Sequence, residues 1–167
     1  VSGGQYAHPT GVFYGGTGPT WSHRWLREFT ARRLGGVSRA AIIDLHTGLG
    51  PSGHGERIWA GPDDAPAIER ARRWWGPEVT SIYDGSSQSS WLTGLMWLAA
   101  GEECAQAEYT GIALEYGTVP FDDVTLALRA DQWLENHPEA PQAMRAQIKR
   151  QVRDAFYTDT DAWKARI

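Results

Sequence analysis

Hydrophobic positions along the chain fall into two strand-like runs separated by stretches of helical spacing. Ala41, Ile42 and Ile43 form a short unbroken apolar run, the pattern of a buried strand. Asp44 and His46 interrupt it at i and i+2, which share one face of an extended chain. Gly48, Gly50, Pro51 and Gly53 follow directly, so the strand is expected to end near His46. That places a histidine at the tip of an interior strand, with a carboxylate beside it and a glycine-rich turn beyond. The second run, Glu108 to Tyr116, sets Ile112 and Leu114 on one face and Gly111, Ala113 and Glu115 on the other, and Gly117 to Pro120 end it.

Between and around these runs the spacing is helical. Thr20 is an N-cap for a helix to about Leu34, with Trp21, Trp25 and Phe29 on one face and Gly35 and Gly36 after it. Asp63 and Asp64 open a second helix with the stripe Ile68, Ala71 and Trp75, stopped at Gly76 and Pro77. Further helices are expected over Trp91 to Ala100, over Asp122 to Glu135 (Leu126, Ala130, Trp133 and Leu134 on one side), and from Pro141 with Met144, Ile148, Val152 and Phe156 aligned. Short strands are expected near Arg57 to Ala60 and Val79 to Tyr83. Val1 to Pro19, rich in glycine, reads as loop and turn with brief extended pieces such as Val12 to Tyr14. The pattern predicts an α/β fold, a mostly parallel mixed sheet flanked by helices.

Composition narrows the function classes. With 167 residues, 41% hydrophobic and 22% charged, the chain suits one ordinary domain with a core. A net charge of -4 argues against a broad nucleic-acid surface, and the cluster Arg70, Arg72 and Arg73, flanked by Glu69 and Glu78, reads as a solvated helix face. The single cysteine, Cys104, excludes an intrachain disulfide and a cysteine-rich metal site, and its neighbours Glu102, Glu103 and Gln106 do not favour a thiolate. No apolar run is long enough to span a membrane and nothing at the start resembles a signal peptide; location stays open, with the cytoplasm slightly favoured. The nine tryptophans fall mostly on helical patterns, where an aromatic is more often core than a sugar platform; a Trp-lined carbohydrate-binding domain is the minority reading.

The candidate chemistry lies at the two strand ends. His46 and Glu115 each close a strand and precede a glycine-containing turn, so neighbouring parallel strands would aim both into one crevice. A neutral imidazole can bind a metal, a nearby carboxylate can take a proton from a metal-bound water, and Asp44 could orient the imidazole through its other nitrogen. A lone histidine at a strand end is most often a hydrogen-bonded structural residue, and Asp44 by itself reads equally well as a turn residue. The second strand end is what tips the balance toward chemistry.

Three motifs stand in order, GGQYAHPTGVFYGG, IIDLHTGLGPSGHGE and IALEYGTVP, within a likeness that runs from Gly3 to about His137. Together they resemble the C-terminal half of the zinc carboxypeptidase superfamily, which includes the aspartoacylase and succinylglutamate desuccinylase branch. The likeness is greatest to a bacterial group of carboxypeptidase-like proteins. The resemblance implies that His46 is the third zinc ligand and that Glu115 is the glutamate activating the zinc-bound water. It also implies that Tyr83 to Trp91 is a substrate-covering loop, with Tyr83 as its substrate-binding tyrosine.

The chain departs from the pattern at the other ligands. The superfamily's first two come from a His-x-x-Glu motif, but three residues after His8, His23, His46, His54 and His137 stand Gly11, Leu26, Leu49, Arg57 and Ala140. A missing N-terminal half or a second chain is therefore expected to complete the metal site. His54 and Glu56 are a candidate replacement pair, although the turn after His46 accounts for them more simply. The expectation is an incomplete carboxypeptidase-like domain from a zinc-dependent hydrolase of amide or peptide bonds, acting on a small molecule or peptide. Its rivals are an inactive remnant or binding module of the same fold, and the carbohydrate-binding domain.

Overall fold

The computed structural model describes residues 3–167. A capping hydroxyl, or a proline in or just before the first turn, opens most of the helices. Thr20 is extended, and its hydroxyl accepts from the His23 amide to open α1 (Trp21–Leu34). After β1 (Arg39–Ser52) and β2 (Gly55–Trp59), Asp64 and an early proline start α2 (Ala65–Trp75), which stops at Gly76 with φ 106°. Then come β3 (Thr80–Ser81), α3 (Met96–Glu103), β4 (Glu108–Gly117), α4 (Phe121–Asn136), α5 (Gln142–Phe156) and the short α6 (Asp161–Lys164). The strands form one four-stranded mixed sheet in the order β1-β4-β2-β3, flanked by helices, with β2 and β3 parallel. No described helix is long and apolar enough to cross a membrane.

β1 departs from the sequence expectation in two ways. It does not end near His46 but runs on to Ser52, because Gly48 and Gly50 adopt φ of 119° and 90° and carry the strand through a bend instead of ending it. It is also an edge strand of the described sheet, not an interior one. Ile43 is 45% exposed and Leu45 72%, so the apolar run is less buried than its composition suggests.

The chain divides into two compact units, one built from Gly15–Leu45 and Glu56–Leu114, the other from Gly4–Tyr14, His46–Gly55 and Glu115–Ile167. In the first, strand alternation splits the core in two. Ile58 and Ala113 pack with Ala60, Ile82 and Trp97, while their sequence neighbours Trp59 and Ile112 pack with Ala67, Ala71 and Val79. The α2 stripe of Ile68, Ala71 and Trp75 joins the latter cluster as its spacing predicts. α1 lies against α3, where Arg27 pairs with Glu102 at 2.8 Å and Glu103 at 2.6 Å.

The aromatic stripe of α1 does not enter a core among the described residues. Trp21, Trp25 and Phe29 are exposed and stack on one another, with centroids 6.1 and 5.0 Å apart and Arg33 over the Phe29 ring. α3 begins at Met96, five residues later than the spacing suggests, because Gly94 at φ 72° interrupts the segment and leaves Trp91 exposed.

In the second unit α4 packs on α5 through Val124, Ala127 and Ala155, with Val152 and Phe156 alongside. The anticipated α4 face is rotated: Leu134 is buried, but Leu126 and Trp133 are exposed and Val124 and Ala127 take their place. The Thr118 hydroxyl donates to the Ala155 carbonyl at 2.6 Å and ties the end of β4 to α5. Gly117 has no room for a side chain, because a Cβ there would fall on the carbonyls of Gly50 and Pro51. The irregular segment near the start is held by Gln5, whose amide donates to the Phe13 carbonyl at 2.9 Å.

Candidate active site

The carboxylate comes from β4. Glu115 is 8% exposed near the strand's end, in a run where Thr110 to Ala113 are also buried. Its Oε1 accepts from the Leu49 amide at 3.2 Å. Its Oε2 lies 3.9 Å from Nδ1 of His46, an ion-pair separation when the imidazole is protonated and longer than a direct hydrogen bond. The two side chains differ in access, 44% for His46 and 11% for Glu115, so a polar group can approach from the imidazole side.

The Leu49 amide is a functional group that the sequence reading missed. It reaches Glu115 because β1 continues past His46. Gly48 makes this possible through its positive φ and its closeness to Phe156, whose ring carbon would lie 2.9 Å from a Cβ placed there. The spacing Gly48-x-Gly50 was a visible signal, but it resembled a turn. A backbone donor on one oxygen helps hold the carboxylate in a fixed rotamer.

The remaining candidates lie as follows. Asp44 is on β1, half-buried, two residues before His46. Tyr83 belongs to the first unit, and its hydroxyl donates to the Gly61 carbonyl at 2.7 Å; burial, with Asp63 nearby, pushes its phenol above the ordinary value. His54 is exposed in the turn between β1 and β2, where its amide donates to the Pro51 carbonyl at 3.0 Å. Cys104 is buried, its thiol donates to the Ala100 carbonyl at 3.2 Å, and burial pushes its pKa up.

Glu56 is buried but already engaged. Its Oε1 accepts from the Thr80 hydroxyl at 2.6 Å and from the Gln88 amide at 3.1 Å, so it anchors the loop that carries Tyr83. Glu56→Ala would leave the Gln88 amide without its acceptor and the Thr80 hydroxyl with only the Arg57 carbonyl at 3.3 Å, and is expected to cost about 1–3 kcal/mol. The checks are urea denaturation and faster hydrogen exchange at the Gln88 amide; unchanged exchange there would refute the anchoring role.

Among the described residues, no group of three or more histidine, cysteine, aspartate and glutamate side chains converges closely enough to hold a metal ion.

Fold and site together define an α/β chain with a buried carboxylate beside a more open imidazole. The sequence matches the family described as "Protein of unknown function (DUF2817)" over residues 1–167, and the chain belongs to that family. No curated protein and no solved structure matches it.

Proposed function

We propose that this chain carries the proton-transfer part of a zinc-dependent hydrolase of amide or peptide bonds, of the metallocarboxypeptidase or N-acyl amino acid deacylase type. The observation that carries the reading is the Glu115 carboxylate, fixed by the Leu49 amide on one oxygen with His46 3.9 Å from the other. A carboxylate so held can accept a proton from an attacking water and deliver it to the leaving amine nitrogen. The resemblance of IIDLHTGLG and IALEYGT to the zinc carboxypeptidases supports the same roles. Within it His46 is a zinc ligand.

His46 and Glu115 do not by themselves make a zinc site, so this reading requires further ligands from another polypeptide segment or a second subunit. Its test has two arms. The 167-residue chain, purified alone, is expected to retain well under one equivalent of zinc by elemental analysis. The natural full-length protein is expected to hydrolyse N-acyl amino acids or short peptides, to lose that activity to a chelator and to regain it with zinc. A full equivalent of zinc held through His46 by the chain alone would overturn the shared-site arrangement. A zinc-loaded full-length protein without turnover on either substrate class would favour the inactive-remnant reading.

A further inference from the structure

The first unit contains a cavity of about 600 Å³ between α3 and β4, within the range of small-molecule sites. Trp59, Tyr83, Trp91, Trp97 and Tyr109 contribute rings to its wall. Several of their polar atoms are already satisfied by backbone. The Tyr83 hydroxyl donates to Gly61, the Tyr109 hydroxyl to the Trp97 carbonyl at 2.5 Å, and the Trp59 indole to the Pro62 carbonyl at 3.3 Å. These rings therefore offer apolar surface to the space. Gly111 helps keep the wall open, since a Cβ there would lie 2.6 Å from the Tyr109 oxygen and 2.9 Å from Trp97 Cβ.

Charge at the cavity is unbalanced. Glu102 lines it but is paired with Arg27 at 2.8 Å. Arg70 also lines it and is half-buried. Its helix neighbours Arg72 and Arg73 pair with Asp84 at 3.5 Å and Glu108 at 3.1 Å. Arg70 instead spends its Nε on the Tyr109 carbonyl at 2.8 Å and has no carboxylate partner among the described residues. Of the three arginines that read as one solvated helix face, this one lines an aromatic cavity with its terminal nitrogens uncommitted.

The geometry points to a second ligand site in this cavity, for a small molecule that joins a flat apolar ring to a carboxylate, with the ring against the aromatic wall and the carboxylate on the Arg70 guanidinium. A planar guanidinium matches a carboxylate in a paired hydrogen-bond geometry that an alcohol cannot reproduce. None of its wall residues belongs to the His46–Glu115 pair; Tyr83, which the resemblance gives a substrate-contacting role, is the wall residue that the two readings share.

Isothermal titration of the protein with 2-naphthylacetate and with the uncharged 2-naphthylethanol tests the assignment without any variant. The carboxylate is expected to bind about tenfold tighter or more, the scale of one charge-assisted contact. Arg70→Gln should erase that preference and leave the alcohol unaffected; Arg70→Lys should retain part of it; Trp91→Ala should weaken both. The indole N–H resonances of Trp59 and Trp97 should shift on titration. Absence of binding, equal affinity for the two compounds, a preference that survives Arg70→Gln, or unmoved indole resonances would each overturn the site. If Arg70→Gln does not fold, the wild-type comparison and the indole shifts still decide the question.

Discussion

Glu115→Gln is expected to lower the hydrolytic rate of the full-length protein by about a hundred- to ten-thousand-fold, the usual cost of removing a general base. Glutamine keeps a side-chain oxygen for the Leu49 amide, which Glu115 engages at 3.2 Å, but no longer offers a carboxylate to take the proton. Stability and zinc content should therefore stay close to wild type while turnover falls. His46→Ala should behave differently and lower zinc content together with rate, because on the proposed reading it removes a ligand. Rate and metal content measured on the same samples separate the two roles. Full activity in Glu115→Gln, or zinc loss as complete as in His46→Ala, would remove the glutamate from its assigned place.

Trp163→Ala should produce the largest loss of stability in the second unit. The residue is 4% exposed on α6, and its indole donates to the Gly117 carbonyl at 2.8 Å, two residues beyond Glu115. Tyr157 meets it edge-on with centroids 5.7 Å apart. Truncation removes the packing and one of two donors to the Gly117 carbonyl, which still accepts from the Gly53 amide at 2.8 Å, so the expected cost is about 3–5 kcal/mol. Trp163→Phe should recover much of the packing but not the hydrogen bond, leaving a deficit of about 1 kcal/mol or more. Chemical denaturation of the three proteins measures both steps. Equal stability of the phenylalanine and wild-type proteins would show that the indole bond contributes little.

The helices and sheet class were legible because local signals fix them: the Thr20 hydroxyl, the proline early in α2, Pro141 before α5, and the buried run in β4. What escaped the sequence was decided by context. Trp21, Trp25 and Phe29 have the spacing of one helix face, but periodicity says which residues share a face, not what covers it. Gly48 and Gly50 looked like the end of a strand because glycine is common in turns. The same freedom of φ carries β1 onward and delivers the Leu49 amide to Glu115. His46 and Glu115 were nameable from the two strand ends, whereas the backbone donor between them carries no side-chain signature. Glu56 shows the converse: its acidic identity suggested a ligand, and its burial against Thr80 and Gln88 gives it an anchoring role.

The open side of β1 has a consequence for how this chain behaves in a test tube. Arg39–Ser52 ends the described sheet, with Ile43 and Leu45 turned largely to water. A long edge strand is a template for another extended chain, and only Arg39, Asp44 and His46 interrupt its apolar character with ionisable groups. Concentrating or warming the isolated chain thus favours self-association in β form. A soluble fusion, low protein concentration or a strand-forming peptide laid along that side would keep it dispersed, so its handling properties depend on fourteen residues that also carry the imidazole.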